Sequence, residues 1–486
     1  MKFNASPGAI LRLFGAIGLL AMVGVGAYVY GSSREYTLSE LERRFVPGLH
    51  GVELVAGTGA SFEPWELQEK NVSLKVMLED ACEEAGLERS CANNETTRFS
   101  TFTKRHVVEH DGSVFTLVRN ATPVTVIDLD EKFIDGRLRL VADWARANQK
   151  ADGSFPYMYY PSADRYEEDD YTIRQLITVQ GLYAIANRFE DAGLKEIAEK
   201  AEQQLMEKSY RYDATRGYSY FVEDDGIRLG AAALGILMVR EKGDMLRPLT
   251  KVETDLGNFL LAMQRDDGSF QTFLQDEPTD LDEKFYSGEA LTALARLSAV
   301  SDDPRYDEAL QTGFEHYREK IKNDFWPQYA PWHMQAYAVY YLESGDDEHA
   351  KYVYWLAEGL IQTMLEEDTG AREDEQGRFY NPMYKAWGPP HSSSTGIYLE
   401  GIAYAYALAK ERGDATEEER FQKALLGGTR ALLQVQWTPE SAYYLSHPER
   451  VVGSFKISLT NNIGRIDQLG HAANALVQVQ NSLFGR

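Results

Sequence analysis

From Gly136 onward, apolar residues recur at three- and four-residue spacing in twelve separate stretches. This is the period of a helix with one buried face. The pattern predicts helices over roughly 136–149, 171–189, 192–209, 228–242, 250–264, 285–300, 304–322, 332–344, 347–366, 394–412, 417–436 and 465–482. Residues 36 to about 132 read differently. Val72 to Gly86 has helical periodicity, while Phe99–Val107 and Ser113–Arg119 are β-rich and meet across His110-Asp111-Gly112, a hairpin-turn sequence. No chemistry is evident in this small mixed unit, which is expected to pack on the helical body as a cap or spacer.

The links between the helices alternate. Even-to-odd links are short, as at Glu190-Asp191, Ser301-Asp302-Asp303, Gly345-Asp346 and Gly413–Thr416. Odd-to-even links are long: 150–170, 210–227, 265–284, 367–393 and 437–464. Alternation gathers the long links over one face, where binding sites are usually built. A repeat accompanies this order. Gln149-Lys-Ala-Asp152-Gly153-Ser154-Phe155 returns as Gln264-Arg-Asp-Asp267-Gly268-Ser269-Phe270, each closing an odd-numbered helix with an Asp-Gly stop. Six similar pairs point to hairpins closed into a ring; the rival is an open solenoid, which needs polar caps at both ends. The twelfth stretch is apolar and glycine-bearing rather than cap-like, which favours closure.

Ahead of both units, Lys2 and Arg12 flank an uncharged apolar run from Leu13 to Tyr30. Its length and its preceding basic residues fit a membrane anchor with the body outside the cytoplasm, periplasmic or extracellular. A cleaved signal peptide, with Val25-Gly26-Ala27 as its site, is the rival reading. The expected organisation is therefore 1–35 anchor or signal segment, 36–132 small α/β unit and 133–486 helical ring. Export would let Cys82 and Cys91 form a short-loop disulfide; two free buried thiols are the alternative. The net charge of −25 repels phosphate backbones, so nucleic acid is not an expected partner. Two cysteines exclude a Cys-based zinc cluster, and no other metal motif or cofactor signature appears, although clustered carboxylates leave calcium open.

In a ring, one helix of each pair lines the centre. The even helices suit this place, being rich in small and apolar residues, as in Leu229-Gly-Ala-Ala-Ala-Leu-Gly and Gly401-Ile-Ala-Tyr-Ala-Tyr-Ala. They also begin at the long-loop face with polar groups: Asp170, Tyr171 and Arg174; Arg228; Tyr286 and Glu289; His333; Glu400; then Arg465, Asp467 and His471. Converging on one cup, these would supply carboxylates, arginines, histidines and tyrosines. Each has a plainer reading. Asp170 fits a helix cap, Glu289 a structural ion pair, and Arg174, Arg228 and Arg465 ties between helices. Arg465 and Asp467 fit mutual neutralisation, and His333 an interfacial histidine beside Trp332. Glu400 and His471 lie within apolar runs, where a carboxyl is costly unless paired and its pKa rises, as a general acid requires. The long loops add Tyr157, Tyr159, Tyr160, Tyr380, Tyr384 and Trp387, rings suited to stacking on sugars or to plugging the barrel.

The Gln-x-x-Asp-Gly-Ser-Phe repeats, the helix count and the alternating links resemble the six-hairpin (α/α)6 toroid superfamily over about residues 136–486. That superfamily includes glycoside hydrolases, polysaccharide lyases and sugar epimerases, with terpene cyclase and prenyltransferase rings as relatives. The zinc-using branches are disfavoured because both cysteines lie outside the ring. The class II terpene cyclase acid motif Asp-x-Asp-Asp is approached by Asp128-Leu-Asp130-Glu131 and Asp280-Leu-Asp282-Glu283, which both depart at the last position.

The resemblance, taken with the N-terminal apolar run, implies an exported, membrane-anchored carbohydrate-active enzyme on a polar polymer. As a hydrolase it would use Glu400 as acid, with Asp467 or Asp170 as base and two carboxyls spaced for retention or inversion. Three arginines point to an anionic, uronate-like substrate. A lyase or epimerase would then move its proton through Tyr171 or His333. The alternatives are a non-catalytic envelope-polysaccharide protein, whose cup charges would all be internally paired, and an isoprenoid-handling ring with a deep apolar pocket.

Overall fold

The computed structural model describes residues 30–55, 59–224, 226–274, 280–366, 369–380, 383, 385–389 and 391–485, with backbone alone at 30–33, 280, 281 and 387. Residues 1–29, which carry nearly all of the expected anchor or signal, lie outside them. Among the described residues no helix is long and apolar enough to cross a membrane. The end of that expected segment lies in a strand, β1 (Tyr30–Tyr36).

The small unit is an antiparallel sheet in the order β1-β4-β2-β3, with β2 at Gly51–Leu54, β3 at Ser61–Phe62 and β4 at Phe99–Thr103. Helices α1 (Leu38–Glu42), α2 (Glu66–Lys70) and α3 (Leu74–Glu84) accompany it. Ser73 caps α3 by accepting the Val76 amide, and Met77, Leu78, Ala81 and Cys82 turn inward to a core that includes Val52 and Phe99. Cys82 is disulfide-bonded to Cys91. The β-rich run 99–107 divides at Lys104-Arg105. Its first part enters the sheet, and its second becomes β5 (His106–His110), paired with β6 (Ser113–Leu117). The hairpin turns on Asp111 and Gly112, both at positive φ.

Each of the twelve periodic stretches is a helix. The outer ones are α4 (Glu131–Asn148), α6 (Ala192–Ser209), α8 (Lys251–Met263), α10 (Pro304–Asn323), α12 (Asp347–Ile361) and α14 (Ala415–Gln434). The inner ones are α5 (Thr172–Phe189), α7 (Leu229–Glu241), α9 (Asp280–Ser298), α11 (Ala330–Ser344), α13 (Ser392–Arg412) and α15 (Ile466–Phe484). Every inner helix packs on the next, and α15 returns to α5, so the ring is closed. The tightly packed hairpins are those with α6 on α5, α8 on α7, α10 on α9, α12 on α11 and α14 on α13. The sixth joins α15 to α4, the last ring helix to the first.

Small residues let the inner helices meet. A β-carbon at Gly396 would press on His471 of α15, and one at Gly181 on Gly470 and Ala473. The repeated glutamines tie consecutive outer helices: Gln149 donates to Ile197 O at 2.7 Å and Gln264 to Ala309 O at 2.9 Å. The glycines after them, Gly153 and Gly268, adopt positive φ, and Phe155 and Phe270 are fully buried.

Short strands rise from the long loops: β7 (Met158–Tyr160) pairs with β8 (Arg165–Tyr166) and β11 (Gly464–Arg465), and β9 (Tyr210–Asp213) pairs with β10 (Tyr218–Phe221). The small unit docks on these loops. Gln68 donates to Leu459 O, Ser162 to Glu69 O and Lys456 to Asn120 O, while Arg119 pairs with Asp374 and Glu375.

Candidate active site

The inner helices start at the long-loop face, and the α5, α13 and α15 starts bring one charged group together. Asp467, in the first turn of α15, is buried and accepts Arg174 Nη1 at 2.5 Å, Arg465 Nε at 2.5 Å and Arg465 Nη2 at 2.7 Å. Burial alone would raise its pKa, but the guanidiniums of Arg174 and Arg465 outweigh that and bring it to about 2. Two cations share one anion, which leaves the group net positive. Arg174 is about a third exposed, lies over the rings of Tyr157 and Tyr171, and has no hydrogen-bond partner for Nε among the described residues.

Position 471 falls four residues after Asp467, on the same face of α15 and one turn deeper. His471 Nδ1 is 3.0 Å from Glu400 Oε1 of α13. His471 keeps partial exposure, whereas Glu400 is 3% exposed and lies behind it. Burial pushes the Glu400 carboxyl up, partly opposed by His471. The pair couples a buried carboxyl to a partly exposed imidazole, an arrangement that can pass a proton.

Below the pair lies a small axial cavity of about 20 Å³, walled by Glu400, Gln180, Gln335, Asn474, Arg296 and Glu241 among others. Gln335 Nε2, Asn474 Nδ2 and Gln180 Oε1 have no protein partner among the described residues. Such buried groups are commonly satisfied by water. The polar wall lacks the apolar depth that isoprenoid chemistry needs.

The remaining sequence candidates are dispersed. Asp170 gives one oxygen to Lys208 and the other to Gln175, each at 2.8 Å, at the outer side of the α5 start. Arg228 pairs with Glu223 and lies over Phe273. Glu223 also accepts the Ile173 amide, so it ties α5 to α7. Glu289 is buried on α9 with Tyr286 against Gly230 of α7; its Oε2 has no partner among the described residues, and burial raises its pKa to about 8. Burial likewise pushes the Tyr286 hydroxyl up. His333 is fully buried among Tyr317, Tyr329 and Tyr337, outside the cup, and burial lowers its pKa to about 3. Its burial and neutral state lend no support to the proton-handling expectation for it. Tyr159 donates to Asp164 at 2.6 Å under the Arg450 guanidinium. Trp387 lies in a short 3-10 turn, and its side chain is outside the described part.

One cup residue went unrecognised in the sequence. His391 is the N-cap of α13 and accepts the Ser393 amide at 3.2 Å. Burial, then the charge of Arg465, lowers its pKa to about 4, so it is neutral at pH 7. Its signal was the Gly388-Pro-Pro-His391-Ser-Ser-Ser break before a helix, which reads as a cap and nothing more. Among the described residues no cluster of three or more His, Cys, Asp or Glu side chains could hold a metal ion.

No protein-family model matches the sequence, and no curated protein matches it. Solved structures do. An unsaturated glucuronyl hydrolase specific for heparin is similar over 72% of this chain and 98% of its own, at 12% identity and TM-score 0.51. A D-mannose isomerase is similar over 73% and 98%, at 12% identity and TM-score 0.52. An inactive variant of an α-1,6-mannanase of Salegentibacter sp. HEL1_6, in complex with α-1,6-mannotriose, is similar over 71% and 98%, at 9% identity and TM-score 0.52. At these identities the likeness is one of fold, and together with the closed double circle of helices it identifies the body of this chain as an (α/α)6 toroid.

Proposed function

We propose that this protein is a carbohydrate-active enzyme of the lyase or epimerase type, acting on an acidic glycan at the carbon next to a uronate carboxylate. The carrying observation is the stacking on α15: two guanidiniums on Asp467, and one turn below them the His471–Glu400 dyad. The guanidiniums bind the substrate carboxylate and take up the negative charge that forms when its α-proton leaves. His471 accepts that proton while Glu400 holds the ring. In elimination the neighbouring glycosidic oxygen leaves with the electrons of its C–O bond and takes the proton held by His471, giving an unsaturated sugar; in epimerisation a water proton enters from the opposite face and His471 returns its own to solvent.

Hydrolysis has less support. It needs two available carboxyl groups across the bond, yet both oxygens of Asp467 and both of Asp170 are engaged. The internal pairing of Arg228 with Glu223 and of Asp170 with Lys208 is what a non-catalytic polysaccharide-binding protein would also show. Two structural neighbours are hydrolases and one is a sugar isomerase, which supports a glycan substrate in general. The Cys82–Cys91 disulfide supports a place outside the cytoplasm, and we read the apolar sequence ahead of β1 as the anchor or signal segment. Alkaline extraction of membranes distinguishes these two, since only an anchored chain stays with the lipid.

The test is incubation with uronate-containing and neutral oligosaccharides in D₂O, followed by NMR. Deuterium at the carbon beside the carboxylate, or an unsaturated product, is expected. Glu400→Gln should lower that rate by about 10²–10⁴-fold while the protein stays folded. Full activity in the variant refutes the dyad. Cleavage of neutral glycans without deuterium uptake establishes hydrolysis instead, and binding without turnover establishes the non-catalytic reading.

A further inference from the structure

Outside the ring, away from the cup, the first half of α4 and the turn Thr438-Pro439-Glu440 border an open groove of about 760 Å³. Phe133, Leu140 and Ile127 give it apolar walls, and Arg137 lies in its side. Arg137 is only 9% exposed, yet its guanidinium forms no ion pair and its Nη1 no hydrogen bond among the described residues. Its contact is the face of Phe133, 5.0 Å from Cζ to the ring centroid. Thr438, which also lines the groove, is 5% exposed and has an unpartnered Oγ1 among the described residues. The nearby Glu440, whose charge acts on Arg137, accepts Thr122 Oγ1 at 2.7 Å and makes no ion pair with Arg137 among the described residues.

A buried guanidinium that has an aromatic face but no hydrogen-bonded anion leaves a donor unsatisfied, which is costly. Its planar fork matches a carboxylate bidentately, a geometry no point charge supplies. The rim carboxylates do not fill this role: Asp128 is turned onto Thr125, and Asp130 onto the Phe133 amide at the start of α4. They also set a limit on the ligand, because they repel densely charged chains and tolerate single carboxylates spaced along a sugar polymer. Phe133 and Leu140 offer an apolar floor for a sugar ring.

We propose that this groove is a second carbohydrate site, which binds a hexuronate unit of an acidic glycan through Arg137 and Thr438. The sugar part of this assignment rests on the reading of the cup; the carboxylate part rests on Arg137.

Calorimetric titration of the full chain tests it, with a glucuronate-containing oligosaccharide and its carboxyl-reduced, neutral form as probes. The acidic probe is expected to fill two sites and the neutral probe to leave the groove empty. Arg137→Gln should weaken the groove at least tenfold, and Arg137→Lys should restore it only in part. Thr438→Val should weaken it less and keeps the test informative if the Arg137 variants fail to fold. Glu400→Gln should leave the groove untouched. Retention of both sites in Arg137→Gln and in Thr438→Val would overturn the proposal, as would equal groove affinity for the two probes. Absence of deuterium uptake at the cup with groove binding intact would remove the cup reading and leave the second site standing.

Discussion

Glu289 offers a sharp test of the electrostatics between the inner helices α7 and α9. Its side chain is 6% exposed, and its Oε2 has no partner among the described residues. Burial carries its pKa from the ordinary 4.5 to about 8. Between those values the native protein keeps the proton while the unfolded chain releases it. The native state therefore binds more protons, and stability falls as pH rises through that window. At pH 7 the loss relative to a non-titrating residue of the same size is about 3 kcal/mol. Glu289→Gln preserves size and removes the ionisation. It should be about 3 kcal/mol more stable than the parent at pH 7 and nearly equal to it at pH 4.5. The gap should grow by about 1.4 kcal/mol per pH unit between these limits. Urea unfolding followed by tryptophan fluorescence at pH 5 and pH 7.5 reads the gap. A difference that is the same at both pH values would refute the reasoning. A variant that gains stability yet loses turnover would mark Glu289 as a residue kept for chemistry at the expense of stability.

Two further outcomes follow from the same electrostatics. Asp467→Asn removes the anion between Arg174 and Arg465 and should cost about 2 kcal/mol at neutral pH. The carboxylate's contribution is present above its ordinary pKa of 3.8 and is lost as pH falls toward about 2, so acid unfolding profiles of parent and variant should converge there. His333→Phe replaces a buried ring with two unpartnered nitrogens. The native imidazole stays neutral down to about pH 3, whereas the unfolded one charges below its ordinary 6.5. The parent thus loses stability as pH falls through that window, and the variant should lose less while retaining turnover. Unfolding at pH 5 and 7 with an activity measurement checks this, and loss of activity in a folded variant would return His333 to the site.

The helices were legible because their periodicity is local. Stretches such as 192–209 and 304–322 need only neighbouring residues to show a buried stripe, and both lie where the periodicity puts them. The Asp-Gly stops after Gln149 and Gln264 were legible for the same reason. The strand 99–107 was misjudged in length, because the break at Lys104-Arg105 depends on which partner each half finds. The site was legible as a collection of residue types but not as an arrangement. Nothing near Glu400 in the sequence shows that it sits behind His471. Nothing near His333 shows that four tyrosine rings, from α10, α11, α12 and the start of α11, close over it. His391 carried no mark of its own in the sequence, and only its proximity to Arg465 and Arg174 places it in the cup.

Taken by itself, the chain's order of apolar and polar residues determined the helices, their alternating links and the closed ring. Those properties follow from burying one stripe per helix, which neighbours three and four residues apart decide. Tertiary structure alone decided which ionisable groups face one another. Arg174 and Asp467 are 293 residues apart, and Glu400 and His471 are 71 apart. Charge, proton affinity and exposure at such pairs depend on distances of a few ångströms in a low-dielectric interior, and a linear sequence holds no measure of them until the ring has closed.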